Sequence, residues 1–418
     1  MPTYNRKIIN LSTILHFQYS VCFRFVLINF TYCTECKGDS YIKRLVCISI
    51  IVLFAIIPEN LYCQTIAYKP GNGLHITSAN KYWDFLFSGY INSIYSFHNV
   101  IENNAIQSNI NVHKARIDLG FDYLNDYDLF FEFDAAGQRT EMVLAQIQAR
   151  IFSSNYLLAG KFINPFSPEN NRSISGLSTI ERYSGLNSMF LLPALDAQYG
   201  LMFFGSTLSL NYYLSITNGN GEAAQNIGEN NSSKGVTARL EYKTSQSFGF
   251  GASIDYTKEE AQQLNLVDHT FDSFSTANVY GKRLGYLVNF EYADNPYLFR
   301  GEVFQYNFNE SLSSSNDVKN FLGGYLETGY FLFGNKNNGV QLIGRFETAR
   351  YGKTIYNFIG PTVLNSYLLG TNWYANTIFT FQLNLIYEDA NRSSLIPLTR
   401  LTNRNNEFEI LSTVQLKF

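Results

Sequence analysis

The residues best suited to chemistry in this 418-residue chain are a set of bases, Lys114, Arg116, Arg150 and Lys161, followed by Arg172 and Arg182 in a long connecting stretch. Arginine offers a planar fork that matches carboxylate and phosphate oxygens, and lysine acts as a point charge, so such a set can attract anions. The bases are interleaved with Asp118, Asp122, Glu132 and Asp134, which leaves a second reading open: they pair with these acids and hold structure. Asp128, Glu132 and Asp134 repeat at even spacing and could hold a divalent cation, or serve as counter-charges to the neighbouring bases.

Catalysis has little to work with. Beyond position 63 the histidines are His75, His98, His113 and His269, and none is paired in sequence with a serine nucleophile and an orienting acid. The expectation is that the protein is not an enzyme. The cysteines, at 22, 33, 36, 47 and 63, all precede the region of interest, and the Cys33/Cys36 pair lacks the second pair that zinc needs. Gly219, Gly221 and Gly228 stand in a stretch that leads into no helix and lacks a Lys-Ser/Thr signature, so no nucleotide loop is read there. No metal and no cofactor are expected.

The elements that must position the bases are strands. From residue 84 onward apolar and polar residues alternate in sixteen segments of about 9 to 14 residues, from 84–97 to 406–418. Long connections over 164–196, 218–233, 258–280, 309–319 and 389–405 alternate with tight ones at 125–126, 153–154, 205–206, 244–246, 295–296, 334–337 and 375–376. An even-stranded meander with short turns at one end and long loops at the other is the plan of a transmembrane antiparallel β-barrel with periplasmic turns and extracellular loops. The faces agree: Ala115, Ile117, Leu119, Phe121 and Tyr123 share one side of a segment, and Lys114, Arg116, Asp118 and Asp122 the other. His113 falls on the apolar side by this count.

Composition supports the same class. Only 16% of residues are charged, against about 25% in ordinary soluble domains, while 16% are aromatic, with 30 Tyr and 35 Phe. Residues 1 to 63 hold 6 of the 31 Lys/Arg and 3 of the 34 Asp/Glu, so the remainder carries 25 basic and 31 acidic residues, about −6. That balance argues against a nucleic-acid partner.

At the N-terminal side, Lys43 and Arg44 precede a run of about 13 apolar residues over 45–57, too short to cross a bilayer as a helix but ordered like a secretory signal. The expected organisation is a mis-assigned start or unstructured leader over 1–41, a signal peptide over 42–63, an N-terminal periplasmic segment over 64–83 and the barrel over 84–418. The segment over 64–81 shows no strong pattern and is too short for an internal plug.

The last segment ends at Phe418, which resembles the signal read by the outer-membrane barrel assembly machinery. Five stretches resemble the phosphate-selective porins O and P: HKARIDLGFDY (113–123) with DLFFEFDAAG (128–137), LAGKFINPFSPE (158–169) with Glu181-Arg182, GGYLETGYFLF (323–333), QLIGRFE (341–347) and GTNWYANTIFTFQLNLIY (370–387). The likeness runs from about Lys81 to Phe418. It implies a homotrimeric, 16-stranded, water-filled channel in the lipid of a Gram-negative outer membrane. It also implies a third loop folded inward and a preference for small anions such as phosphate. The chain departs from an anion channel in its acidity. The expected function is passive diffusion of small hydrophilic solutes, with a closed barrel acting in surface binding or structure as the alternative.

Overall fold

The computed structural model describes residues 65–418 except 101–104, 138–139, 191–196, 220–233, 271–272, 310–317, 354–361 and 392–405. The expected leader and signal over 1–63 lie outside the described residues. No helix among the described residues is long and apolar enough to cross a membrane.

A hairpin of β1 (Thr65–Lys69) and β2 (Gly73–Thr77) precedes the sixteen long strands. These are β3 (Trp83–Val100), β4 (Ala105–Tyr123), β5 (Tyr127–Asp134), β6 (Glu141–Phe152), β7 (Asn155–Ile163), β8 (Ala197–Thr207), β9 (Leu210–Thr217), β10 (Gly235–Lys243) and β11 (Phe248–Val267). They continue as β12 (Ser273–Asp294), β13 (Tyr297–Phe308), β14 (Val318–Asn335), β15 (Asn338–Lys353), β16 (Thr362–Tyr374), β17 (Phe379–Asn391) and β18 (Asn406–Lys417). Each of β3 to β18 pairs antiparallel with the next, and β18 pairs with β3 from Glu407↔Val100 to Lys417↔Tyr90, which closes a 16-stranded barrel. A closed barrel leaves no strand edge unpaired in the hydrocarbon, where an orphan backbone group costs several kcal/mol.

Every expected segment is a strand. The outward rows expose apolar side chains such as Leu369 (68%) and Val288 (62%), as lipid contact requires. Beside the tight turns, outward aromatics pair across strands, as with Tyr242–Phe250 at 5.6 Å and Tyr297–Tyr330 at 5.4 Å, forming an interfacial girdle.

Four details differ from the sequence reading. The featureless 64–81 stretch contains the β1–β2 hairpin, and β2 occupies the part of β3 that β18 does not reach, from Leu74↔Phe87 to Thr77↔Asp84. The stretch 258–280 is mostly strand: β11 and β12 continue past a bulge at Glu259/Gln262 with Leu264, Leu266, Ala277 and Val279 buried. Here the outward residues are polar and the inward ones apolar, the reverse of the pattern lower down, so the alternation no longer reads as barrel wall. The turn expected at 205–206 lies at Leu208-Ser209, where Leu208 adopts φ 49°. Finally, the β3–β4 pairing skips one residue between Asn92↔Lys114 and Ser93↔Val112. His113 is that extra residue, and it leaves the apolar face to meet Glu181 inside the barrel, Nε2 to Oε1 2.7 Å.

Candidate functional site: a loop folded into the lumen

The lumenal face of β12 to β15 is built as cross-strand rows. Glu291, Arg300, Glu327 and Arg345 stand opposite one another on successive strands, alternating acid and base. One step toward the loop end, Glu302, Tyr325, Glu347, Ser366 and Glu388 form a second row that contains carboxylates and no base. Left to itself that second row would set like charges close together in a sheet, so its partners must come from elsewhere.

Most come from the connection between β7 and β8, which folds into the barrel instead of standing outside it, and one, His269, from just past the end of β11. Ser167 donates from Oγ to Glu302 at 2.6 Å and Tyr183 from its hydroxyl to the same carboxylate at 2.7 Å. Ser184 gives Glu347 its amide at 2.9 Å and its hydroxyl at 3.0 Å, while His269 reaches that carboxylate with Nε2 at 3.0 Å. On the mixed row, Arg345 holds Glu169 at 2.9 Å and bonds Thr179, Arg300 holds Glu327 at 2.9 Å and Ser178 bridges the two chains by bonding both. Arg345 also lies over the Tyr325 ring at 4.3 Å. Glu169 is fully buried, which pushes its proton affinity up, but the charges of Arg345, Arg300 and Arg182 overcome that and hold its carboxyl below the usual range.

The loop is long enough to traverse the lumen. A single 3-10 turn (Ile174–Gly176) reaches the turn end, where Lys336 donates to the Gly176 carbonyl at 3.3 Å and Lys417 to the Ser175 carbonyl at 2.9 Å. At the loop end a short helix, α1 (Ser184–Phe190), packs on β11, β14 and β15. Phe166, Tyr183, Leu186 and Met189 bury there against Leu264, Leu266, Phe304, Tyr306, Phe321 and Tyr351. This is a soluble-type core inside a pore wall, and it explains the inverted alternation of β11 and β12.

The six candidate bases do not form one cluster. Lys114 lies 3.6 Å from Asp134, and Arg116 bonds Glu132 and lies 3.0 Å from Asp134. Arg150 sits at the turn end, 3.1 Å from Asp126 and over the Tyr156 ring at 5.7 Å. Lys161 is opposite Ala145 and Tyr199, in the row of the outward Ile147 and Leu201, and is fully buried with Nζ donating to the Met142 carbonyl at 2.8 Å. Its neighbour Gly160, at φ +120°, provides a bend no side chain could share, since a Cβ there would meet the Ala145 carbonyl at 2.1 Å. Arg172 pairs across the lumen with Glu291. Arg182 donates to the carbonyls of Glu169, Asn170 and Arg172, bracing the loop's own path.

Sequence reasoning does not single out Glu169, Tyr183, Arg300, Glu302, Arg345 and Glu347 as a set. Their common signal is the alternation of acid and base at matched heights on neighbouring strands, which is visible only once the register is known. Asp268, Glu388 and Glu409 also converge, one oxygen of each lying within 4.8 Å of the others. Calcium takes about six to eight oxygen ligands, so three carboxylates alone define no site.

What the loop covers determines what stays open. It buries the lumenal face of β12 to β18, where Arg283, Arg300, Glu302, Glu327, Arg345, Glu347 and Glu409 are all buried. On β4 to β9 the lumenal residues Lys114, Arg116, Asp118, Asp122, Asp128, Glu132, Tyr156, Phe204 and Tyr213 are half-buried, while Leu144, Leu158, Gln198, Ser215 and Thr217 are buried. Within this face Tyr156, Phe204 and Tyr213 stack in sequence, at 5.3 and 6.1 Å.

A closed barrel of sixteen strands with an apolar belt, a polar lumen and one loop folded into it defines an outer-membrane porin. The sequence profile of phosphate-selective porin O and P matches residues 88–397, and the chain belongs to that family. It therefore forms a channel for small solutes in the outer membrane of a Gram-negative bacterium. Among solved structures, the anion-selective porin of Comamonas acidovorans is similar with a TM-score of 0.57 at 10% identity, covering 80% of this chain and 100% of that one. The trimer form of OmpT, an outer membrane protein of Vibrio cholerae, has a TM-score of 0.57 at 11% identity, covering 80% and 99%. The outer membrane channel DcaP of Acinetobacter baumannii has a TM-score of 0.56 at 9% identity, covering 82% and 99%. At these identities the likeness is one of fold. No curated protein sequence matches the chain.

Proposed function

We propose that the protein is a homotrimeric, non-enzymatic porin through which small hydrophilic solutes diffuse passively along the β4 to β9 side of the lumen. The observation that carries this reading is the asymmetric burial: the inward loop bonds mainly to the β12 to β18 wall, touches β4 through His113 and Glu181, and leaves the turn-end part of β4 to β9, lined by charged and aromatic side chains, half-buried. Trimeric assembly is supported by the family resemblance and by OmpT, whose trimer form is among the similar structures. Lipid contacts the outward apolar rows, and the C-terminal Phe418 suits delivery by the barrel assembly machinery after a signal over 42–63 has been removed.

In this reading the six candidate bases are positioning residues. Lys114, Arg116, Arg150 and Arg172 each have a carboxylate partner, Arg182 braces the loop, and Lys161 donates to the Met142 carbonyl. A paired base adds little field to a passing ion, so these side chains maintain the wall and the loop while solutes pass. The test is planar-bilayer recording of refolded residues 64–418. Stepwise openings support the porin, and silent bilayers with well-folded barrels overturn it.

A further inference from the structure

The open face of the lumen has a charge pattern that neither the fold nor the family accounts for. Asp84 stands directly opposite Asp122, and Asp122 directly opposite Asp128, so three carboxylates on β3, β4 and β5 form one row. Four residues further along β4 toward the loop end, Asp118 stands opposite Glu132. Like charges directly opposite one another destabilise a strand pair. On the covered wall such rows are met by loop hydroxyls, histidines and arginines. Here the loop meets β3 and β4 through Ser173 at Tyr90 and Glu181 at His113, and neither side chain brings a positive charge.

The local bases are already committed. Arg116 and Lys114 face Glu132 and Asp134. Asp84 is held by His75 at 2.9 Å and by the Thr77 hydroxyl at 2.6 Å, and Asp122 accepts the Asn125 amide at 2.9 Å. None of these partners is a lysine or an arginine. Among the described residues Asp118, Asp122 and Asp128 lie in no ion pair; Asp118 accepts from Ser88 with Arg116 as its neighbouring positive charge, and all three are half-buried. Carboxylates arranged this way, in a water-filled groove with low-dielectric walls, take their counter-charge from mobile ions.

The opposing term is the pair Lys336 and Lys417, whose ammonium groups bond the underside of the loop tip. Bonding to the neutral Gly176 and Ser175 carbonyls leaves both charges in place, and Lys417, opposite Tyr90 of β3, lies two strands from β4, so this pair opposes the acidic row at the turn end. Arg172 is matched by Glu291, and Arg239 has Glu241 as a neighbouring charge.

We propose that this channel conducts cations in preference to anions, and that Asp118, Asp122 and Asp128 set the preference at the turn end of the lumen. The inference rests on the porin reading above and specifies the solutes that reading leaves open. Rings of acidic side chains favour cations in channels generally, and here the row stands at the turn end of the wall where its members are half-buried and not covered.

The experiment is the reversal potential of single channels across a tenfold KCl gradient, for refolded residues 64–418 and for Asp118→Asn/Asp122→Asn/Asp128→Asn. Folding of both is checked by heat-dependent gel mobility and circular dichroism. The expected result is a potassium-to-chloride permeability ratio above one that falls about twofold or more toward unity in the triple variant. Lys336→Gln/Lys417→Gln is expected to raise the ratio. The preference should weaken at 1 M salt, where the screening length shrinks to about 3 Å. Addition of inorganic phosphate should not block the current. A wild-type channel that is unselective or favours chloride overturns the proposal, as does a triple variant with an unaltered ratio. Folded barrels that give no channels overturn the porin reading itself, a result distinct from either.

Discussion

Arg345 joins the wall to the loop: its guanidinium contacts Glu169 and Thr179 of the loop, lies 3.2 Å from Glu347 and stacks on Tyr325. Removing one partner of a buried pair leaves an uncompensated charge and costs about 3–5 kcal/mol. Arg345→Ala should therefore lower barrel stability by an amount of that order in urea unfolding of the detergent-solubilised protein. Arg345→Lys should recover little of it, because an ammonium cannot serve several acceptors in a fixed plane. His269 provides a pH-dependent contribution. Burial pulls its proton affinity down, but the charge of Glu347 and its hydrogen bond, with Glu388 beyond, push the imidazole up to about 9. A pKa raised above the ordinary value of about 6.5 means that the charged His269–Glu347 contact stabilises fully below that value and is lost as pH rises through 9. Protection in α1, taken after dividing out the hydroxide-catalysed intrinsic exchange rate, should fall between pH 7 and 10, and His269→Gln should remove most of that fall.

The inward loop behaves as an element with its own core and its own sockets. It is anchored by hydroxyls and by Glu169 on rows that otherwise hold unmatched carboxylates, and by apolar packing of α1 on β11, β14 and β15. Replacing residues 167–190 by a short glycine-serine linker should leave a folded barrel. The wall retains its own pairs there, Arg300–Glu327 at 2.9 Å and Arg345–Glu347 at 3.2 Å. Single-channel conductance should rise several-fold and stability should fall, both measurable on the refolded variant. Conductance unchanged by the deletion would show that the loop does not narrow the path. The one-residue bulge at His113 is part of the same design, since the extra residue turns an imidazole inward to the fully buried Glu181, whose carboxyl that contact holds below its usual range despite the burial.

For the whole molecule the decisive act is closure. Phe418 completes the seam after the last ladder pair: its amide donates to the Gly89 carbonyl at 3.0 Å, its carbonyl accepts the Gly89 amide at 3.1 Å, and its ring meets Phe87 at 5.9 Å. Deleting Phe418 removes two backbone hydrogen bonds worth about 1 kcal/mol each and the aromatic contact. The expected outcome is a lower midpoint of thermal unfolding and a reduced yield of inserted barrel, read from heat-dependent gel mobility.

The strands were legible in the sequence because alternation against lipid is a local property: Leu119, Phe121 and Tyr123 face outward whatever the rest of the chain does. That logic failed where the environment changed. Above the bulge in β11 the outside is water and the inside is the apolar side of α1, so Leu264 and Leu266 read as loop. At His113 a single inserted residue reversed a facing that counting by twos could not foresee.

From the sequence alone came the class of fold, the sixteen strands and their alternating connections, the acidic balance and the family. The tertiary structure decided which charges meet. Glu169 and Arg345 are 176 residues apart, and Ser167 and Glu302 are 135 apart. Such pairings depend on strand register and on where one loop comes to rest. The same arrangement decided which wall faces water, because a charge acts on a passing ion only if no partner has already neutralised it.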